Sequence, residues 1–353
     1  MTRVLFVARN RYRLPLSPSL RLKWDALARA LDVRVVAASR DASRGDETFR
    51  LRPRSILDGP LFWLSLPRRV RREARSFRAD AIVAQSPFEA AAALAARTGV
   101  PVIVELHGDW RTFGRLYGSP LRRLVARAAD VVGTWAVRRA AKVRAVSPYT
   151  AGLAREVGRE PAAIFPAFMD LSPFAVPPAP LPVAPVVALF IGVLEPYKNI
   201  DGLAEAWRQA KPAAELRIVG QGTRTDVVAS LVRDGLATWQ PELSTGEVVA
   251  ALDAASVLVL PSRSEGMGRV VIEAQLRGRP VLGSNVGGIP DLVTDGIDGV
   301  LFDPTPAGIA RALAVLDDPV ELERLAANAR AAGERWLVAP DEFAARTKEL
   351  VEG

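Results

Sequence analysis

The chain has 353 residues, of which 49% are hydrophobic and 24% charged; this length suits about two domains, and the composition excludes disordered, collagenous and coiled-coil proteins. It contains no cysteine and one histidine, which excludes a disulfide framework, a thiolate nucleophile and every metal site built from several histidines. The net charge of +8 is uneven, since residues 1–176 carry 31 Arg and Lys against 15 Asp and Glu, whereas residues 177–353 carry 16 against 24.

The first half of the chain alternates short apolar runs with helical patterns. Helices are predicted over Leu20–Leu31 and after Pro87, and strands are predicted over Val4–Ala8, Val33–Ala37, Ala81–Ala84, Val102–Leu106 and Val143–Val146. Strands that alternate with helices favour a mostly parallel, doubly wound sheet. Residues 1–176 are therefore predicted to form one α/β domain.

A proline-rich run follows, with five prolines between positions 177 and 185, and such a run is typical of a stiff connector between domains. The alternation then restarts and predicts a second α/β domain over residues 177–335. Its elements are predicted as strands at Val186–Ile191, Leu216–Val219, Val257–Leu260 and Val281–Ser284, and as helices over Ile200–Ala210, from Thr225, before Gly278 and within Ala307–Trp336. Open sheets of this type bind ligands at the carboxyl ends of their strands, so a site is expected in the loops there.

The strongest local signal is the sequence VLVLPSRSEGMGRVVIEA at residues 257–274. A strand leads into a polar turn with Glu265, then into the tight loop Gly266–Gly268 and a helix that carries Glu273. The unpaired N–H groups and the dipole at a helix N-terminus favour an electron-rich ligand. Two carboxylates eight positions apart suit an extended polyhydroxylated ligand, although each acid alone is more simply an ordinary surface charge.

This segment resembles the E-x7-E signature of retaining glycosyltransferases with the GT-B fold, and most closely those of glycosyltransferase family 4. Three further blocks of that family occur in the same order, namely FIGVLEPYKN at 190–199, LRIVGQG at 216–222 and VLGSNVGGIPDLVTDGIDGVLFDP at 281–304. The resemblance implies two Rossmann-like, doubly wound domains that face each other across a cleft. It also implies a closing helix, residues 336–353, that crosses back to the first domain.

The resemblance further implies that a nucleotide-sugar donor binds to the second domain. Glu265 would hold hydroxyl groups of the sugar, Glu273 the ribose hydroxyls, and Lys198 the diphosphate, where a fixed ammonium stabilises the charge of the leaving group. Many relatives carry a second cation at the position of Val193, and Arg263 and Arg269 are candidates to replace it. The implied donor-binding residues are Gly192, Lys198, Gly220, Glu265, Gly266, Met267, Gly268 and Glu273.

The single histidine, His107, lies directly after a predicted strand in the sequence VIVELHGDW. The block resembles the family's histidine-bearing loop, which implies that His107 hydrogen bonds to the donor sugar or orients the leaving phosphate. The catalytic candidates are thus His107, Lys198 and Glu265, although a lone histidine is more often structural.

In the first loop, ARNRYRLPLSPS replaces the family's Gly-Gly pair. The weaker, acceptor-side candidates are Arg9, Asn10, Arg11 and Asp109.

The sequence therefore predicts a glycosyltransferase that moves a sugar from a nucleotide-sugar donor to a hydroxyl acceptor, which is a glycan, a lipid or a small molecule. No Asp-x-Asp sequence occurs, and the resemblance implies retention of anomeric configuration with no metal and no cofactor.

The alternatives are a catalytically silent nucleotide-sugar binder and a GT-B-like epimerase. A Rossmann dehydrogenase is disfavoured, because GQGTRT has Thr225 where the third glycine belongs. No nucleic-acid partner is expected, since no recognition motif occurs.

The first domain also contains the arginine-rich sequence PRRVRREARSFR at 67–78, next to an apolar cluster at 61–64. A basic helix beside such a cluster is typical of peripheral contact with an anionic membrane. A solvated helix face explains the pattern equally well, as does a general preference for arginine, since five of the 47 cations are lysine. No leader or spanning segment is recognised, so we expect a cytoplasmic protein, either free or at the inner face of the membrane.

Overall fold

The computed structural model describes residues 1–53, 58–112, 115 and 120–353. Contacts divide the chain into two units. The first unit comprises Met1–Arg111, Leu124–Asp170 and Val338–Gly353, and the second comprises Thr112–Arg123 and Leu171–Leu337. Each unit contains a parallel sheet with helices packed on it, which confirms the predicted fold class of two doubly wound α/β domains.

The sheet of the first unit has seven parallel strands in the order β3-β2-β1-β4-β5-β6-β7. The chain winds outward from β1 to β3, returns to place β4 beside β1, and then winds the other way. The point where the winding reverses, called the switch point below, therefore lies between β1 and β4. The strands are β1 (Arg3–Tyr12), β2 (Asp32–Ser39), β3 (Phe49–Arg52), β4 (Ala81–Ala84), β5 (Val102–Leu106), β6 (Lys142–Ala145) and β7 (Ala163–Ile164).

Among the described residues, five helices connect these strands. Proline in the first turn and a serine cap start several of them, and Ser147 with Thr150 forms a reciprocal capping box at the last of the five, which satisfies backbone N–H groups that have no partner inside the helix. The helices are α1 (Pro18–Ala30), α2 (Asp58–Phe77), α3 (Pro87–Ala95), α4 (Pro120–Arg139) and α5 (Pro148–Glu156).

The strands of this sheet are apolar on both faces because both faces are covered by helices. Leu5 and Val7 of β1 pack in the core under α2, α3, α4 and α5, whereas Val4 and Phe6 pack in the core under α1. The chain's last helix also packs on α1 and contributes Phe343 to that second core.

The sheet of the second unit has six parallel strands in the order β10-β9-β8-β11-β12-β13. Its winding reverses between β8 and β11, so the second switch point lies between these two strands. The strands are β8 (Val187–Ile191), β9 (Glu215–Val219), β10 (Thr238–Gln240), β11 (Val257–Leu260), β12 (Val281–Ser284) and β13 (Gly299–Phe302).

The remaining helices belong to the second unit, except for the last, α12, which belongs to the first. Helix α6 follows β8 and buries Leu203 and Trp207 on one face, the pattern of an amphipathic helix packed on a sheet. The helices are α6 (Ile200–Ala210), α7 (Thr225–Arg233), α8 (Thr245–Asp253), α9 (Arg269–Leu276), α10 (Pro306–Leu313), α11 (Pro319–Glu334) and α12 (Pro340–Glu352).

One local prediction was wrong: Arg9, Asn10 and Arg11 lie within β1, not in a loop after it. Strand β1 continues to Tyr12, and its pairing with β2 shifts register between Val7 and Arg11. The continuation has a packing reason, because the buried Tyr12 ring lies against aromatic rings of α1 and β3, with centroid distances of 6.2 and 5.3 Å.

Among the described residues, no helix has the length and apolar character needed to cross a bilayer.

Candidate functional site

Two oppositely charged side chains meet at the switch point of the second sheet. Lys198 ends the short 3-10 turn Pro196–Lys198 after β8, and Glu265 lies in the loop after β11. The Lys198 ammonium contacts Oε1 of Glu265 directly, and the two side chains are only 10% and 11% exposed. The structure therefore brings together two of the three predicted catalytic residues, with the cation and the carboxylate at one point.

Hydrogen bonds hold the loops around this pair. Ser262 donates to Oε1 of Glu265 over 2.9 Å, and the N–H of Arg263 donates to the carbonyl of Tyr197 over 2.7 Å. Asn199, buried and in a left-handed conformation with φ 56°, donates its amide N–H groups to the carbonyls of residues 261 and 304 over 3.0 and 2.8 Å. These bonds tie the loops that follow β8, β11 and β13 to one another, so the pair sits on a fixed frame.

The glycines at 287 and 288 let another loop reach the same place. A Cβ atom on Gly287 would lie 2.3 Å from the carbonyl oxygen of Glu265, and one on Gly288 would lie 2.2 Å from that of Gly266. The N–H of Gly288 donates to the carbonyl of Glu265 over 3.0 Å. Backbone therefore packs on backbone here, and no side chain fits between the two loops.

A second close approach joins the loops after β8 and β9. Gly220 has φ 141°, and a Cβ atom there would lie 1.8 Å from the carbonyl oxygen of Gly192. Gly192 in turn lies beside the aliphatic part of Lys198, since a Cβ atom on Gly192 would be 3.4 Å from Cε of that lysine. The two predicted glycines thus shape the surroundings of the lysine.

Glu273 forms an ion pair of its own. It lies in the second turn of α9, which Gly268 precedes in a left-handed conformation with φ 35°, and its Oε1 is 2.5 Å from Nε of Arg269. Its side chain is 10% exposed, and burial raises its pKa although Arg269 opposes the shift. Arg269, a candidate for the missing second cation, is therefore engaged with a predicted site carboxylate, and Val193 stands half exposed.

In the first unit, His107 follows β5 and its Nε2 lies 3.3 Å from Oε2 of Glu105. Glu105 is buried and also paired with Arg144. The sequence motif contained Glu105 but gave it no role, because nothing in the sequence showed that Arg144 of β6 is its neighbour in the sheet.

Asp109, an acceptor-side candidate, is engaged with Arg111. Nε of Arg111 is 2.8 Å from Oδ1 of Asp109, and its Nη1 is 2.9 Å from Glu156. Hydrogen bonding to Asp109 and Glu156 outweighs partial burial and raises the pKa of Arg111. The charge of Asp109 therefore helps to brace the loop after β5 against α5.

The other acceptor-side candidates lie at the switch point of the first sheet. Asn10 donates to the side-chain oxygen of Gln85 over 3.1 Å, which joins the ends of β1 and β4. The guanidinium of Arg9 lies 5.6 Å from the ring centroid of Trp63, within the range of a cation–π contact.

Glu89 is a further residue at this switch point, and no sequence motif marks it. It lies in the first turn of α3 and is 3% exposed. It accepts hydrogen bonds from the Ser86 hydroxyl and from the backbone N–H of Arg9, and burial raises its pKa to about 7. The available signal was a lone acid at the start of an alanine-rich helix.

Within the described ranges, no group of three or more Asp, Glu and His side chains is arranged to hold a metal ion.

Two family models match the chain one after the other. Residues 24–172 match "Glycosyltransferase Family 4", and residues 176–332 match "Glycosyl transferases group 1". The two matches leave only the chain ends and three residues between them unaccounted for. They confirm the family resemblance that the sequence motifs indicated.

Two curated relatives illustrate the similarity. The glycogen synthase of Mycobacterium tuberculosis is 35% identical over 155 residues, which cover 41% of this chain and 37% of that protein. The D-inositol 3-phosphate glycosyltransferase of Streptomyces bingchenggensis is 35% identical over 190 residues, which cover 48% of this chain and 41% of that protein. The chain thus spans about two fifths of the length of these relatives.

Solved structures resemble the whole chain. Sucrose-phosphate synthase from Thermosynechococcus elongatus has a TM-score of 0.77 at 20% identity, covering 99% of this chain and 98% of that one. HepE from Anabaena, solved in complex with UDP-glucose, has a TM-score of 0.73 at 21% identity, covering 99% and 100%. These similarities show that the chain has the GT-B fold.

Proposed function

We propose that this chain, which belongs to the glycosyltransferases of family 4 and group 1, transfers a sugar from a nucleotide-sugar donor to a hydroxyl acceptor. The observation that carries the proposal is the buried pair of Lys198 and Glu265 at the switch point of the second sheet. Open α/β sheets bind ligands at such a point. A buried cation and carboxylate there offer one group for a diphosphate and one for sugar hydroxyls.

The chemistry that we assign to the pair follows from its charges. When a sugar leaves a nucleoside diphosphate, negative charge grows on the diphosphate, and a fixed ammonium with little water around it stabilises that charge. Lys198 supplies this ammonium. Glu265, already held by Ser262, accepts hydrogen bonds from sugar hydroxyls.

The rest of the donor is assigned to backbone and to Glu273. The loop Gly266–Gly268 lies at the start of α9, where N–H groups favour phosphate or hydroxyl oxygens. Arg269 bonds to Oε1 of Glu273, and we assign the ribose hydroxyls to the other oxygen. Retention of configuration by front-face attack or a short-lived ion pair, and transfer without a metal, belong to the same proposal, in which Lys198 carries the charge of the leaving group.

We assign the hydroxyl acceptor, whether a glycan, a lipid or a small molecule, to the first unit. Its switch point presents amide and guanidinium groups of Arg9, Asn10 and Gln85, which suit hydroxyl or anionic acceptors. A nucleotide-sugar binder without activity is the alternative, because Val193 and the strand residues at 9–11 depart from the family pattern.

Donor binding is tested by thermal unfolding with UDP, GDP, ADP and their common sugar conjugates. A ligand at about a hundred times its dissociation constant adds about 2.7 kcal/mol to the free energy of unfolding. We expect stabilisation by one base and its loss in Glu273→Ala, while Glu334→Ala, an exposed glutamate paired with Arg330 in α11, serves as the matched control. The absence of stabilisation by every nucleotide would overturn the proposal, and donor binding without transfer or donor hydrolysis would favour the silent binder.

We further propose that the first unit works at an anionic membrane surface. Leu61 and Leu64 of α2 are 38% and 75% exposed, and the exposed Arg68, Arg71 and Arg75 follow them at helical spacing. These five residues therefore share one face of α2. A face with apolar side chains at one end and arginines along the rest suits a layer of anionic headgroups.

Helix α4 supports the same surface. Within residues 125–139 it exposes four large apolar side chains. Helices α2 and α4 cover the same face of the first sheet, because Leu66 of α2 and Val137 of α4 belong to one core. The exposed fractions are 50% for Val125, 69% for Val131, 45% for Val132 and 44% for Trp135. Apolar side chains on both helices therefore point away from the same core.

Membrane binding is tested by co-sedimentation with vesicles of phosphatidylcholine, with and without phosphatidylglycerol. We expect binding only to the anionic vesicles, weakened by salt and lost in Leu64→Glu with Arg71→Glu. Val320→Glu, which alters a 76% exposed side chain of α11 in the second unit, should bind as the wild type does. Equal binding by all variants, or none to anionic vesicles, would overturn this part of the proposal.

A further inference from the structure

The carboxylate that contacts His107 is held by a second, fully buried partner. Glu105 lies in β5, and its register partner in the neighbouring strand β6 is Arg144. The two side chains form a direct ion pair and are 5% and 1% exposed. His107 lies two residues after Glu105, and its ring is 40% exposed. The network therefore runs from a buried guanidinium through a buried carboxylate to a ring that reaches the surface.

Arg144 has little freedom to leave this carboxylate. Its Nη2 donates to the carbonyls of Phe165 and Pro166 over 3.2 and 2.6 Å. Its guanidinium carbon also lies 3.8 Å from the centroid of the Phe165 ring. A planar cation bonded on several sides and stacked on a ring is fixed in one geometry.

The carboxylate is ionised in this setting. Burial by itself would raise the pKa of Glu105, but Arg144, His107 and Lys23 together hold this pKa well below its ordinary value. An ionised carboxylate has no proton to give and only accepts hydrogen bonds. The ring nitrogen that faces it must therefore be the donor.

We infer that Glu105 keeps the proton of the His107 ring on Nε2 when the ring carries a single proton, so that Nδ1 is the atom offered to a hydroxyl group of a sugar substrate. A neutral imidazole carries one N–H, and the nitrogen without it is an acceptor. Glu105 is a positioning residue in this account, and Arg144 keeps Glu105 in place. The identity of the ligand rests on the proposed function, whereas the position of the proton is a property of the chain alone.

The position of the proton is measured directly because the chain has one histidine. Untagged protein labelled with 15N-histidine gives a long-range 1H–15N NMR spectrum with a single imidazole, recorded at a pH where the ring is neutral. We expect a protonated-type shift for Nε2 and an unprotonated-type shift for Nδ1. A proton on Nδ1, or two averaged shifts, would overturn the inference, and neither outcome depends on whether the protein transfers sugar.

Neutralising the Glu105 carboxylate tests whether it sets the position of the His107 proton. In Glu105→Gln we expect the two nitrogen shifts to move towards an average, because an amide both donates and accepts. Glu160→Gln, which neutralises an exposed glutamate paired with Arg155, should leave them unchanged. Should Glu105→Gln fail to fold with Arg144 left unpaired, the double variant with Arg144→Met removes both buried charges. An unchanged spectrum in the folded variant would show that Glu105 does not set the proton.

The contact of Nδ1 with a sugar hydroxyl group is tested by measuring turnover. The side-chain amide of asparagine reaches the place of Nδ1, whereas that of glutamine reaches the place of Nε2. We therefore expect His107→Asn to keep about tenfold more kcat/KM than His107→Gln, the size of one hydrogen bond. If the NMR result holds and the two variants lose activity equally, the contact of Nδ1 with the sugar is wrong. If no protein form transfers sugar, the proposed function fails while the proton assignment stands.

Discussion

The two sheets of the molecule reverse their winding in the same way, yet they fill the switch point differently. In the second sheet, the loops after β8 and β11 bring a lysine and a glutamate into contact, and glycines let backbone pack on backbone around them. In the first sheet, side chains occupy the corresponding place, where Asn10 bonds to Gln85 and Glu89 is buried between β1 and α3.

The difference bears on the ligand that we propose for each unit. The glycines of the second sheet let its loops pack closely around the Lys198 ammonium, and a fixed point charge of this kind suits phosphates. Amide, carboxyl and guanidinium side chains recognise hydroxyl groups by position. The same topology is thus compatible with the two sites that we propose, one for a phosphate in the second unit and one defined by side chains in the first.

Removing the lysine should have the largest effect on the switch point of the second sheet. Lys198→Met leaves Glu265 buried without its cation, which destabilises a protein by about 3–5 kcal/mol, and we expect transfer to fall by about 10²–10³-fold. Urea unfolding and a transfer assay measure the two effects. Lys348→Met, at an exposed position of α12, is the control.

The double variant Lys198→Met with Glu265→Gln separates the two effects. Without either charge, stability should return to near that of the wild type, whereas transfer should stay low. A Lys198→Met protein with normal stability and turnover would show that the charged pair does not define the second switch point.

Adding a side chain to a glycine of the second sheet comes next. Gly220→Ala places a Cβ atom 1.8 Å from the carbonyl of Gly192 at φ 141°, and we expect a loss of about 2–3 kcal/mol of stability together with donor binding. Gly246→Ala in α8, where an added Cβ meets nothing within 4 Å, should instead stabilise by about 0.5–1 kcal/mol. Similar melting temperatures for the two variants would contradict the requirement for a bare backbone at Gly220.

The buried acid of the first sheet gives an effect that depends on pH. The pKa of Glu89 is raised to about 7 in the folded protein, above its unfolded value, so the folded state binds the proton more tightly. Its contribution to stability is therefore present at low pH and is lost as the pH rises from about 4.5 through 7.

Glu89→Gln, which cannot ionise, should gain stability relative to the wild type over that window, by about 3 kcal/mol at its upper end. Urea unfolding of both proteins at several pH values measures the difference. Glu160→Gln, at an exposed position, should show no such gain. A difference between Glu89→Gln and wild type that does not vary with pH would mean that Glu89 stays ionised when buried.

The sequence predicted the central strands of both sheets almost to the residue, because Ala81–Ala84 and Val257–Leu260 are apolar runs bounded by polar turns. It did not predict the short edge strands β3, β7, β10 and β13. Their two to four residues are only partly buried, so they carry too little apolar signal to differ from a loop.

The candidate site, like the fold, was predicted only in part. Lys198 and Glu265 were predicted because they belong to ordered family blocks. The contacts of Glu105 with Arg144 and of Glu89 with the N–H of Arg9 join residues from different strands and helices. Such contacts depend on the order of the strands in the sheet, which the sequence alone does not show. The contact of His107 with Glu105 was hidden for a further reason, since it depends on the burial of the carboxylate.

The smallest effect in the second sheet is expected from adding a side chain at Gly192, beside Lys198. Gly192 has an ordinary φ, and a Cβ atom there would meet Cε of Lys198 at 3.4 Å, an ordinary contact with the middle of a flexible side chain. Gly192→Ala should therefore lower stability by less than about 1 kcal/mol. Because the displaced atom belongs to the arm that carries the ammonium, the KM for the donor should rise a few-fold with kcat less affected. A larger loss of stability than in Gly220→Ala would show that Gly192 is required for the backbone, and an unchanged KM would place the diphosphate away from Lys198.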